Sequence, residues 1–229
     1  MANKNTKQGQ QTEQTLNKQE AFFLKYKKAI MIAVAAVIVL IAGIFLYQSQ
    51  ISKPREAKAS TALALAQELF AAEQYEKALN GDSASFKGFL NVASEYSSTK
   101  AGNLANLYAG LCYAKLDKWA EAEKYLSKFS ARDDQMISPA ATAALGDAYA
   151  HNKQIDKAID TFKKAAKMAD SEAEDVNNSL APTFLIKAAV LLESQNKKAE
   201  ALKIYQDIKK KYVNSAVASE IDKYIERAQ

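Results

Sequence analysis

One stretch of this chain constrains it more than any other. Ala29 to Tyr47 reads AIMIAVAAVIVLIAGIFLY, without a single charged residue. At about 1.5 Å per residue, such a helix spans close to the ~30 Å of a bilayer core. Tyr26 and Tyr47 flank it, where interfacial aromatics are favoured. A helix in a soluble core rarely runs this long without a polar residue. A cleaved signal has a shorter apolar region followed by small residues at the cut. Here the exit is Phe45-Leu46-Tyr47-Gln48, which is bulky. The stretch therefore reads as a retained anchor contacting membrane lipid through Ala29–Tyr47.

The flanks predict an orientation. Lys18, Lys25, Lys27 and Lys28 precede the span, with Lys4 and Lys7 further out, while Lys53, Arg55 and Lys58 follow it. The excess before the span favours a cytoplasmic N-terminus. The expected layout is a tail over 1–25, a transmembrane helix over 26–48 and a helical domain over 49–229 on the far side. The tail up to Gln19 is rich in Asn, Gln, Lys and Thr with a lone Leu16, and reads as disordered. Phe22, Phe23 and Tyr26 beside lysines suit an interfacial helix leading into the span.

Charge and composition narrow the function. The net charge is +5. From Met1 to Glu56 there are eight Lys/Arg against three Asp/Glu; from Ala57 to Gln229 there are 23 of each. The basic excess thus belongs to the tail and the span's flanks, which argues against nucleic-acid binding by the main domain. The single cysteine, Cys112, excludes an intrachain disulfide and a Cys-based zinc site, and reads as a small buried hydrophobe. His151 is the only histidine and is expected as a solvated turn residue. The seven glycines are isolated, so no phosphate loop exists. Asp133-Asp134 and Glu172-Ala173-Glu174-Asp175 read as solvated charge. No catalytic, cofactor or metal constellation is present, and neither an enzyme nor a small-molecule substrate is expected.

Beyond Ala57 the pattern is one amphipathic helix after another, without strand-like alternation. The expected helices are Ala57–Glu73, Ser85–Tyr96, Asn103–Leu116, Ala120–Phe129, Pro139–His151, Ile155–Ala169, Pro182–Ser194, Lys198–Tyr212 and Ala216–Ala228. Asn80-Gly81-Asp82-Ser83 breaks the pattern, and Ser171–Ser179 is a polar, acidic insertion. Two helix pairs align without gaps at a period of 36: Gly110 with Gly146, Tyr113 with Tyr149, Ala122 with Ala158, and Leu126 with Phe162. A third pair follows with Ala189, Leu192, Ala201 and Tyr205 at those places. Small residues let two helix backbones approach, and bulky residues fill the space beside them. One hairpin cannot bury its apolar face, so such hairpins stack into a solenoid.

Glycine, tyrosine, alanine and an aromatic at this spacing resemble the tetratricopeptide repeat. The resemblance runs from near Ala57 to the end, and is weakest in the first pair. Lys211-Tyr212-Val213-Asn214-Ser215 resembles that family's Tyr-Pro-x-Ser hinge with Val213 for proline, and Tyr96-Ser97-Ser98 resembles a degenerate copy. Trp119, at a hairpin turn, corresponds to an aromatic that packs the two helices. The resemblance implies an all-α fold and a concave face that binds protein partners. Carried onto this chain, that face is Leu104, Leu107, Tyr108, Leu111, Ala143, Asp147, Thr183, Ile186, Lys187 and Val190. Leu107, Leu111 and Ala144 depart from the Lys, Asn and Arg of carboxylate-clamping members, so an apolar partner surface is expected. The layout as a whole, with Phe22-Phe23 before a single span, resembles the YfgM-type ancillary subunit of the bacterial Sec translocon. That resemblance implies an inner-membrane protein with a periplasmic domain. Its implied partners are the translocon, periplasmic chaperones or translocating chains. A subunit of another envelope-assembly or division complex is the alternative.

Overall fold

A computed structural model describes residues 5–82, 86–171 and 175–229, with side chains from Phe22 onward. The chain divides into two compact units, Met1–Pro54 and Arg55–Gln229. In the first, helix α1 runs Asn5–Tyr47 and a π-helical turn follows at Gln48–Ser52. Its best window of 18 residues has a mean hydropathy of 3.1, and none of that window is buried. This is a helix long and apolar enough to cross a membrane, and the absence of burial separates it from a core helix. The tail expected to be disordered is helical from Asn5. It holds no proline, and its Gln, Lys and Glu residues are good helix formers, so a helix can extend back from the span.

The second unit is helical apart from one short ribbon. Its helices are α2 (Lys53–Ala71), α3 (Tyr75–Asn80), α4 (Phe89–Glu95), α5 (Lys100–Lys115), α6 (Trp119–Leu126), α7 (Ile137–His151), α8 (Ile155–Ser171), α9 (Ala181–Ser194), α10 (Lys198–Lys211) and α11 (Ile221–Ala228). Sequence periodicity missed α3. The helix expected over Ser85–Tyr96 begins only at Phe89. Before it, strands β1 (Gly81–Asp82) and β2 (Phe86–Lys87) pair antiparallel, Gly81 opposite Lys87 and Asp82 opposite Phe86. The ribbon depends on two glycines. Gly81 has φ +77°, and a Cβ on Gly88 would lie 2.4 Å from the Gly81 nitrogen. The terminal helix is also divided, with a 3-10 turn over Ala216–Ser219 before α11. The other helices match their expected ranges to within four residues.

Four hairpins close with the same turn. Glu73, Asp117, Lys153 and Asn196 all adopt positive φ, between 56° and 61°. After each, a backbone N–H reaches five residues back: Gln74 to Leu69, Lys118 to Tyr113, Gln154 to Tyr149, and Lys197 to Leu192. This is the Schellman arrangement, which satisfies carbonyls left open at a helix end. It places α2–α3 in register with the other three pairs, with Ala66 and Ala78 at the small-residue positions. At the bulky position, however, the first pair has Asp82, and the ribbon begins there. Only one of the four left-handed positions carries asparagine, the non-glycine residue best suited to it. Lys153→Gly should therefore raise stability by about 0.5–1 kcal/mol, read as a higher urea midpoint. An unchanged or lower midpoint would show that the lysine is not strained there.

The paired small and bulky positions meet as the repeat requires. A Cβ on Gly110 would lie 2.5 Å from Leu126 Cγ, and one on Gly146 would lie 2.9 Å from the Phe162 ring. Ala189 and Tyr205, the third such pair, are fully buried in one cluster with Phe162, Ile208 and Ile221. A second cluster joins Leu63, Leu79, Phe89, Val92 and Cys112. Burial pushes the Cys112 thiol up to about 12, which keeps it an unreactive hydrophobe at neutral pH.

The second and third hairpins are tied at their turns. The rings of Trp119 and His151 stack with centroids 3.6 Å apart and planes 4° from parallel. Asn152 Nδ2 donates to the Trp119 carbonyl and to Glu123 Oε2, and Gln154 Nε2 donates to the same Glu123 oxygen. His151 is exposed as expected, but the structure gives it a packing partner that a sequence gap of 32 residues concealed.

Candidate functional site

The face of α5 follows from its spacing. Leu104, Leu107, Tyr108 and Leu111 sit at i, i+3, i+4 and i+7, so they project together. They line a cleft of about 470 Å³ with Gln67, Met136, Ile137, Ala140 and Ala141. That volume lies in the range of ordinary ligand clefts. Among the described residues, no charged one lines it. Leu107 is 7% exposed and belongs to the core with Ala122, Leu126 and Ala141. Tyr108 stacks on Phe89 at 5.2 Å and meets Phe70 edge-on at 5.3 Å. These two residues are floor as much as binding face. Leu104 and Leu111 are half-buried.

The opposite wall was not visible in the sequence. Met136 and Ile137 were assigned to a loop before an expected helix start at Pro139, yet α7 begins at Ile137. Met136 is 67% exposed and Ile137 52% exposed. Large apolar side chains left this open are the cleft's freest contact area. A signal was present: two large apolar residues directly ahead of Ser138-Pro139, a pairing suited to a helix start.

Asp134 holds that wall in place. Its carboxylate accepts the Met136 and Ser138 N–H groups at 3.0 Å and the Ser138 hydroxyl at 2.5 Å. Burial pushes the Asp134 carboxyl up, but the hydrogen bonds from Ser138 and Met136 outweigh it and hold the group below its ordinary value. Asp134 is therefore the cap of α7, where the sequence suggested only solvated charge. Asp134→Ala should cost about 1 kcal/mol at neutral pH. A carboxyl whose folded value is depressed stabilises above its unfolded value and loses that contribution as pH falls through the folded one. The stability gap between wild type and variant should thus close in acid. A gap that does not depend on pH would refute the capping role.

The rest of the inferred concave face is arranged differently. Ala143 is 3% exposed and belongs to the core around Phe162. Asp147 and Lys187 pair across α7 and α9 at 2.7 Å, with the ammonium 5.3 Å from the centre of the Phe162 ring. Thr183 lines a separate cleft with Asn178, Pro182, Asn214 and Val217. Ile186 is half-buried against the core, and Val190 is 39% exposed. Four of the ten residues share the apolar cleft.

Two hinges have matching geometry. Thr99 Oγ1 donates to the Tyr96 carbonyl and Ser215 Oγ to the Tyr212 carbonyl, each at 2.7 Å, and in each case the same residue's N–H reaches that carbonyl too. This is the local form of the two Tyr-containing segments noted in the sequence.

Comparison with known families agrees with this geometry at the level of the repeat. Residues 104–134 and 184–215 match the tetratricopeptide repeat. The first match covers most of α5, all of α6 and the loop up to the Asp134 cap; the second covers most of α9, all of α10 and the Tyr212–Ser215 hinge. No curated protein matches the chain. The chain carries tetratricopeptide repeats within a helical-hairpin array, an architecture that supports protein–protein interaction.

Proposed function

We propose that this protein is a membrane-anchored scaffold that binds an apolar segment of a protein partner in the α5–α7 cleft. The observation that carries this reading is the exposure of Met136 and Ile137 on a cleft lined by apolar residues and Gln67. Apolar area left open in this way favours association once a partner removes it from water. The helix Ala29–Tyr47 would hold the scaffold at a bilayer. A photoreactive residue at position 137 of the full-length chain, in its native membrane, should crosslink a defined protein. The same residue at position 203, on the exposed face of α10, should not. Equal crosslinking at both positions would argue against the cleft.

The finer reading follows the resemblance in layout. It assigns the protein to the inner membrane with a cytoplasmic N-terminus. The domain would then assist translocation or chaperone handover at the Sec translocon. Translocon subunits among the crosslinked partners support this reading; an envelope-assembly or division complex would favour the alternative. Topology has its own test. A reporter active only outside the cytoplasm, fused after Gln229, should be active, and activity of a cytoplasm-only reporter there would reverse the orientation.

A further inference from the structure

A two-electron oxidant converts methionine from a flexible apolar side chain into a polar sulfoxide. The sequence has four methionines. Met1 lies outside the described residues, and Met31 lies in the apolar stretch of α1. Met168 is half-buried on α8, with its Sδ 3.5 Å from the Thr142 hydroxyl oxygen. Met136 is placed differently: it is 67% exposed and stands on the wall of the α5–α7 cleft.

Exposure makes the Met136 thioether open to a peroxide. A sulfur lone pair attacks one peroxide oxygen, and the S–O bond forms as the O–O bond breaks. Sulfur gives up two electrons. The other oxygen leaves as hydroxide and takes up the proton shed by the first, giving water. Two thiols of a reductase reverse the step: the sulfoxide oxygen leaves as water and the thiols become a disulfide.

The free protein tolerates this product, and a complex does not. The Met136 backbone N–H donates to Asp134, a bond that oxidation of the side chain leaves in place. On an exposed side chain the sulfoxide oxygen keeps its hydration. Among the described residues lining the cleft, only Gln67 and Tyr108 carry a side-chain donor. An apolar partner segment covering position 136 would strip the hydration and put carbon in its place, leaving the sulfoxide oxygen without a donor.

We infer that Met136 is a reversible oxidation site that controls the α5–α7 cleft. As the thioether it admits an apolar partner segment, and as the sulfoxide it excludes one. The inference rests on the proposed binding role of that cleft.

The test uses the full-length chain in isolated native membranes, with a photoreactive residue at position 140 on the cleft's edge. Hydrogen peroxide is the oxidant, and each sample is compared with its own untreated half. Peptide mapping should find sulfoxide at Met136 before Met168. The yield of crosslinked partner should then fall about tenfold or more, because the apolar area of one large side chain is lost. Reductases for both sulfoxide epimers should restore it. Met136→Leu, which keeps an apolar side chain without sulfur, should give the same yield before and after peroxide. An equal fall in the leucine variant would place the oxidation in the partner or at another methionine, and overturn the inference. So would oxidation of Met168 ahead of Met136, an unchanged yield from oxidised wild type, a yield that reduction fails to restore, or a leucine variant that captures nothing before treatment. A wild type that captures nothing before treatment fails at an earlier step: it overturns the cleft as a binding face, and the switch with it.

Discussion

Gly102→Ala should lower stability more than any other single methyl added to this domain outside the ribbon. Gly102 lies in the first turn of α5, behind the Thr99 cap whose hydroxyl oxygen accepts its N–H at 2.9 Å. A Cβ there would lie 2.0 Å from the Tyr96 carbonyl oxygen and 2.6 Å from its carbon. Both are backbone atoms, and the same oxygen also accepts the Thr99 N–H and hydroxyl. No rotamer change can relieve the clash, so the hinge itself must open. Alanine would otherwise gain about 1 kcal/mol over glycine inside a helix. The overpacking should exceed that gain and leave a net loss of about 3 kcal/mol. Gly110→Ala should cost less, because it meets the Leu126 side chain. Gly146→Ala should cost least, because the edge of the Phe162 ring can tilt. Urea unfolding of the three variants, followed by circular dichroism, gives the order. A Gly102→Ala variant as stable as wild type would refute this reading of the hinge. At the second hinge the corresponding position is Ala218, and there the chain runs as a 3-10 turn over Ala216–Ser219 before α11 begins.

That comparison shows where the sequence was informative. Gly110 with Leu126, and Gly146 with Phe162, were legible because helical packing needs a small residue opposite a large one at a fixed offset. The offset survives whatever happens in the loops. The first hairpin was not legible, because Asp82 replaces the bulky residue and only the turn at Glu73 reveals the register. The ribbon at 81–87 was hidden because two residues per strand are too few to show alternation. Its glycines act through close backbone approach, which leaves no periodic trace. Hydrophobic spacing found the α5 half of the cleft, since that half lies on one helix. The α7 half depended on where the helix starts, and that is set by the Asp134 side chain, four residues from Ser138. Three residues of the inferred face outside that cleft are already engaged or buried. Asp147 and Lys187 satisfy each other, and Ala143 is too small and too buried to reach a partner.

Position within the cleft also decides which side chains can test it. Leu107 and Leu111 look like the natural targets, but Leu107 is core, and a polar residue there would unfold the protein as readily as it would repel a partner. Met136 and Ile137 avoid this difficulty because more than half of each is open to solvent. Met136→Ser with Ile137→Ser should change folding stability by no more than about 0.5 kcal/mol, as exposed substitutions usually do. Burying a large aliphatic side chain contributes about 1.5–3 kcal/mol, so loss of both should weaken capture of the cleft's partner by about a hundredfold or more. The readout is the yield of partner crosslinked from position 140, where Ala140 is exposed at the cleft's edge, in the double variant and in wild type. Near-complete loss of crosslinking with unchanged melting assigns binding to this wall. Unchanged crosslinking with unchanged melting rejects the cleft as the binding face.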